Sequence, residues 1–396
     1  MWRIGRWLAI LQFWRRLQRR RSCRGNLPFS VGERTYMKRI TGVVVLQLAL
    51  PHYRQALVSE LSETRSVSFL SGDRQFLPGV VLGVNGENVT YTGRNLFFLG
   101  GRFAWQRGTW RAIRSAENLV VELNPRILNS WLAIAVRKIL RLKTVAWGHV
   151  FPRAGEAARS DLVRNVMRRG IDGMIVYTYR QRDDFRRLHP QTPVYVAANA
   201  IYSREELVPS LLGVDRTDFI VIGRIVENKK VALAAEAFAH IARELSDSRL
   251  VIIGDGPLRD SIQKSYADLV NAGRIRFMGE ITSVDDLREL FGCAVSMIAP
   301  GYVGLNATQS LGFGVPVIYS RSEPHAPEIE LLDEENSTSF TTDDSIALAE
   351  TMRQAWQRRH MVSEYSEALS SRVRDLYSVE TMAAAFREVG KDGAAH

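Results

Sequence analysis

From Val43 onward, short unbroken apolar runs alternate with helical stretches, and this alternation limits the fold more than any other feature of the sequence. The runs at 43–50 (VVVLQLAL), 66–70 (SVSFL), 118–123 (NLVVEL), 144–149 (TVAWGH), 173–178 (GMIVYT) and 194–197 (VYVA) form a first series. The longest of them are too continuous for half-exposed strands and suit strands buried on both faces of a parallel sheet. Helical segments at 126–142, 156–169 and 179–188 separate them. A second series follows at 219–223 (FIVIG), 249–254 (RLVIIG), 275–279 (IRFMG), 294–299 (AVSMIA) and 315–319. Its first crossover carries Val231, Ala234, Phe238, Ile241 and Leu245 at helical spacing. Two such series in 396 residues predict two parallel α/β sheets with a cleft between them. Residues 72–116 are glycine-rich and aromatic without a clear period and read as short strands and a long surface loop. The segments 345–357, 361–375 and 379–390 read as helices.

Charge narrows the partners. The formal net charge is +11, but residues 1–40 hold eleven Lys or Arg against the single acid Glu33, so the remainder is nearly neutral. A folded part without a broad basic field argues against a nucleic-acid binder. Within the basic segment, Ile4, Trp7, Leu8, Leu11, Trp14 and Leu17 recur at helical spacing among arginines, and the uninterrupted apolar stretch, Trp7 to Trp14, is too short to span a bilayer. Two readings fit: a helix lying on an anionic membrane surface, or residues that precede a natural start at Met37. Cys23 and Cys293, the only cysteines, exclude a disulfide framework and fit a reducing, cytoplasmic setting.

The stretch 294–329 (AVSMIAPGYVGLNATQSLGFGVPVIYSRSEPHAPEI) reads as strand, glycine loop, helix, strand. A loop that leaves the carboxyl end of a parallel strand and opens a helix offers free N–H groups and a helix dipole, which favour phosphate. Gly254-Asp255-Gly256-Pro257 reads as a structural turn, and Glu328 as an acid in a first helical turn.

In Gly223-Arg224 with Lys229, LVIIGDGPL (250–258), IRFMG (275–279) and GYVGLNATQSLGFGVPVI (301–318), the second half resembles the retaining glycosyltransferases of family 4, the glycosyl transferases group 1. LPHYR (50–54), the run ending in His149 and GMIVYTYRQRDDF (173–185) extend the resemblance over about 41–390. It implies an α/β chain with the GT-B fold, two facing Rossmann-like parallel-sheet domains with a cleft. The expected divisions are a basic amphipathic extension at 1–40, an acceptor-side domain at 41–200, a donor-binding domain at 201–375, and a C-terminal helix at 376–396 packing back towards the first domain.

The resemblance also implies roles. Arg224 and Lys229 would hold the donor diphosphate, and two cations there would stabilise the negative charge left by a departing nucleoside diphosphate. His149 would lie beside the donor sugar. Gly223, Gly304, Leu305 and Asn306 would present backbone to the donor, and Glu280 and Ile281 would meet its base. Tyr53 and Arg54 follow the first strand, where an acceptor would enter; they would meet an anionic acceptor or simply cap and solvate the helix. The family's E-x7-E acids fall on Gly301 and Gln309. Gln309 can still hydrogen-bond ribose hydroxyls, or it can close a capping box begun by Asn306. No metal or other cofactor is expected.

The function expected is therefore that of a retaining hexosyltransferase-type enzyme (EC 2.4 class). It would pass a sugar from a nucleotide diphosphate-sugar to a saccharide or lipid-linked acceptor in cell-envelope or exopolysaccharide biosynthesis, at the cytoplasmic face of a membrane. The loss of both acids supports an alternative, a degenerate GT-B binding module for a nucleotide-sugar or a partner. A Rossmann oxidoreductase is disfavoured, because no G-x-G-x-x-G follows the first strand.

Overall fold

The computed structural model describes residues 39–76, 81–152, 155–210 and 215–391. The expected basic amphipathic helix and Cys23 lie outside the described residues.

Each continuous apolar run becomes a parallel strand. The first sheet is built from β1 (Ile40–Gln47), β2 (Val67–Ser71), β3 (Val89–Tyr91), β6 (Ala116–Glu122), β7 (Lys143–Trp147), β8 (Gly173–Val176) and β9 (Val194–Val196), in the order β3-β2-β1-β6-β7-β8-β9. Between β3 and β6 the aromatic segment forms an antiparallel hairpin, β4 (Leu96–Phe98) with β5 (Phe103–Trp105), and a short helix, Trp110–Ser115. The hairpin is tied to the carboxyl end of β1. Asn95 Nδ2 donates to the Leu48 carbonyl, and Leu48 packs with Ala104, Ile127 and Phe97.

The second sheet contains β10 (Asp218–Ile222), β11 (Arg249–Ile253), β12 (Ile275–Gly279), β13 (Ala294–Ala299), β14 (Val317–Ser320) and β15 (Ser337–Phe340), in the order β12-β11-β10-β13-β14-β15. All pairings in both sheets are parallel. The order reverses direction between β1 and β6 in one sheet and between β10 and β13 in the other. Ligands of open α/β sheets bind at such switch points, outside the carboxyl ends of the strands. β15 went unpredicted because Ser337-Thr338-Ser339-Phe340 has no apolar run: it is an edge strand whose only buried residue is Phe340.

After β9 the chain crosses to the second domain through residues 197–202. It returns at Tyr377–Val379, and the final helix, Val379–Lys391, packs in the first domain's core. Phe386 on that helix meets Trp147 edge-on at 5.0 Å and Phe69 at 6.5 Å, and Arg387 pairs with Glu60 at 2.7 Å. The two crossings touch where Val379 N–H donates to the Tyr202 carbonyl at 2.9 Å.

Candidate functional site

The second domain's switch point gathers several of the residues to which the resemblance gave a donor role. β10 ends at Ile222, and Gly223 turns the chain with φ +130°. A Cβ on Gly254 would stand 2.1 Å from the Gly223 carbonyl, so the ends of β10 and β11 meet backbone to backbone. The Gly254–Pro257 turn buttresses the loop from below, Ile225 N–H donating to the Asp255 carbonyl at 2.9 Å. Arg224 is thereby held at an exposed loop position, and the 3-10 turn Glu227–Lys229 brings Lys229 back beside it. Both line one crevice with Gly223, Pro300, Tyr302 and Asn306. Lys229 Nζ donates to the Tyr302 carbonyl at 2.8 Å and stands 5.0 Å from the Tyr302 ring centroid. Burial pushes its ammonium down to about 8, against the opposing field of Glu328.

The glycine loop completes the crevice. Gly304 precedes the helix Leu305–Gly312, and Gly304 N–H donates to Asn306 Oδ1 at 2.8 Å. The capping-box alternative for Gln309 is not what the structure holds. Gln309 is buried and its Nε2 donates to the Tyr202 hydroxyl at 2.7 Å, which turns the side chain away from the helix start. Gly301 has its own physical reason. A Cβ there would lie 2.4 Å from the Asn228 carbonyl oxygen and 3.0 Å from the carbonyl carbon of Lys229, so the lysine-bearing turn occupies the space a side chain would need. Glu280 and Ile281 follow β12; Glu280 is exposed and Ile281 half-buried against the domain core.

Across the cleft, His149 is exposed just beyond β7. Its Nδ1 is 3.2 Å from Gln181 Nε2, its carbonyl accepts from Arg164, and its ring lies 4.8 Å from that of Tyr177. Tyr53 is exposed. Arg54 departs from both readings of its role, acceptor contact and solvated helix cap: it is 4% exposed, its guanidinium stacked over Trp147 at 4.8 Å and donating to Asn199 Oδ1 at 2.8 Å. Asn199 Nδ2 in turn donates to Glu328 Oε1 at 2.7 Å. Glu328, expected only to complement a helix dipole, is 3% exposed and joins this chain of contacts between the domains. Two residues on, Glu330 accepts from the N–H groups of Tyr179 and Arg180, at 2.8 and 3.0 Å, and so caps a helix of the other domain, Tyr179–Leu188.

Sequence reasoning gave no role to Glu122, Tyr177, Asn199 or Glu330. Glu122 ends β6 at the first domain's switch point, half-buried, with Leu48 N–H donating to its Oε1 at 2.6 Å. Burial raises its carboxyl to about 7. Tyr177 is pushed up by burial, and its hydroxyl feels Arg54, Tyr53, Glu122 and Glu328 together. A carboxylate ending a strand at a switch point was the available signal. Among the described residues no group of three or more His, Cys, Asp or Glu side chains could hold a metal ion, and no helix is long and apolar enough to cross a membrane.

The chain is similar to known proteins in part of its sequence and in its fold. Residues 216–358 match the family model "Glycosyl transferases group 1". A GDP-mannose-dependent alpha-(1-6)-phosphatidylinositol dimannoside mannosyltransferase of Mycobacterium tuberculosis is 33% identical over 103 residues, a match spanning 25% of this chain and 26% of that protein. Among solved structures, Anabaena Alr3699/HepE in complex with UDP is similar over 90% of this chain and 100% of its own, with TM-score 0.61 and 14% identity. A glycosyltransferase from Rickettsia africae is similar over 89% and 98%, with TM-score 0.63 and 11% identity. The fold is GT-B, two parallel-sheet α/β domains.

Proposed function

We propose that this chain is a retaining glycosyltransferase that moves a sugar from a nucleotide diphosphate-sugar to a hydroxyl of a saccharide or lipid-linked acceptor. One observation carries the reading: Arg224, Lys229, Tyr302 and Asn306 line a single crevice at the second domain's switch point. A guanidinium and an ammonium there oppose the charge that develops on a departing diphosphate, with the start of the helix after Gly304 presenting backbone N–H groups. Among the described residues no carboxylate lines that crevice, and a front-side course is the simplest chemistry. The acceptor oxygen bonds to the anomeric carbon as the bond to the phosphate oxygen breaks, and the hydroxyl proton passes to the departing phosphate. UDP in complex with HepE and the GDP-mannose dependence of the mycobacterial relative support a nucleotide-sugar donor.

A membrane-associated acceptor in envelope or exopolysaccharide synthesis, met at the cytoplasmic face, is favoured by the basic amphipathic extension. The helix Arg159–Arg169 adds support, since it exposes Leu162, Val163 and Val166 among arginines.

The second reading, a binding module without turnover, rests on Gly301 and Gln309 at the acid positions. The test is nucleotide release from UDP-, GDP- and ADP-sugars by the purified full chain, with and without a membrane extract, beside Arg224→Ala. Acceptor-dependent release from one donor, lost in the variant, is the expected result. Donor binding in a parallel titration with no release under any condition would make the chain a binding module.

A further inference from the structure

The crevice at the second domain's switch point accounts for the donor. The first domain has a switch point of its own, between β1 and β6, and Glu122 stands at it. Its carboxylate is fixed on one side by Leu48 N–H at 2.6 Å. Leu48 is itself held by the hairpin β4–β5, through Asn95 and the packing of Ala104 and Phe97, so the carboxylate has a rigid support. Among the described residues Glu122 has no cationic partner, although the cleft around it is crowded with charge and polarity. Tyr177, after β8, feels Glu122 together with Arg54 and Tyr53, after β1, and Glu328 from the opposite domain; His149, after β7, lies against the Tyr177 ring. A half-buried carboxylate at the carboxyl end of a strand, without an ion-pair partner and braced by backbone, is suited to accept a hydrogen bond from a neutral hydroxyl.

We propose that Glu122 binds the acceptor. One carboxylate oxygen stays on Leu48 N–H, and the other accepts from a hydroxyl of a sugar or polyol, which selects the hydroxyl that faces the donor. The hairpin and the aromatic segment around it form the wall against which that acceptor is read. The inference rests on the glycosyltransferase reading above.

Glu122→Gln is the discriminating variant, because its amide oxygen still accepts from Leu48 N–H while the charge is removed. The experiment measures nucleotide release from the donor that the full chain uses, with water alone and then with glycerol or methyl α-glucoside as probe acceptors. Transfer to the probes should fall about tenfold through KM, the scale of one hydrogen bond to a charged group, with hydrolysis by water unchanged. The pH profile adds a readout that a structural role would not move. Hydroxyl binding needs the ionised carboxylate, so the probe KM of the parent falls as pH rises through about 7, and the variant lacks this step. Equal loss of hydrolysis and transfer, or no loss of either, would overturn the assignment of Glu122 and leave the transferase reading intact. If the parent releases no nucleotide under any condition, both readings fail together.

Discussion

Lys229 keeps its charge against the cost of burial, and a diphosphate would relieve that cost by supplying the counter-charge. Because burial holds its ammonium down to about 8, binding an anion must raise it. Nucleoside diphosphate affinity is then full below pH 8 and weakens as pH rises through 8, by up to about tenfold per unit while the free lysine is neutral and the bound one charged. The groups facing it are Glu328, His325 and Tyr302, of which Glu328 favours the ammonium. Calorimetric titration with UDP and GDP from pH 6.5 to 9.5 checks this. Lys229→Arg, charged throughout, should show no alkaline loss, and a parent profile flat through pH 9 would contradict the account. The sequence marks Arg224 and Lys229 through the resemblance to the group 1 glycosyltransferases, and the structure brings both to one crevice. Glu122 at a strand end and Glu328 in a first helical turn each carry a local signal, but only the fold brings the field of both to Tyr177 from opposite domains. Arg54 shows the converse, a residue whose position after β1 was right and whose exposure could not be known before Trp147 and Asn199 closed over it.

At the level of elements, the glycine loop and the Glu227–Lys229 turn behave as one unit. Tyr302 N–H donates to the Asn228 carbonyl at 3.0 Å while Lys229 Nζ reaches back to the Tyr302 carbonyl. A methyl group at 301 must push these two pieces apart, since both contacts that it would make are with backbone. Gly301→Ala is therefore expected to cost about 1–3 kcal/mol of stability and to lower nucleotide affinity by about tenfold as Lys229 is displaced, read by thermal unfolding and by titration. A glutamate placed there to rebuild the familiar acid pair would do more harm, and a gain in affinity from either change would contradict this view of the loop. The strand, loop, helix and strand of 294–320 were legible because apolar runs and glycines punctuate them. Short strands were expected within 72–116, but the placing and pairing of β4 and β5, and the edge strand β15, were not legible, because short strands with polar or aromatic mixtures carry no period that separates them from loop.

At the scale of the whole described molecule, the last helix belongs to the first sheet's core although it follows the second sheet in sequence. Phe386 is fully buried against Phe69 and Trp147. Phe386→Ala should lower stability by about 3–5 kcal/mol in urea unfolding, and the loss should register in the first domain. An unfolding curve unchanged from the parent would mean that this helix contributes nothing to that core. The return of the chain has a mechanical meaning as well. Joined by one strand of backbone, two domains can swivel and slide; joined by two adjacent strands tied at Tyr202 and Val379, they are left with bending about the line through both. The motion this leaves is that of a book about its spine, with Arg224 and Lys229 on one page and Glu122 and His149 on the other.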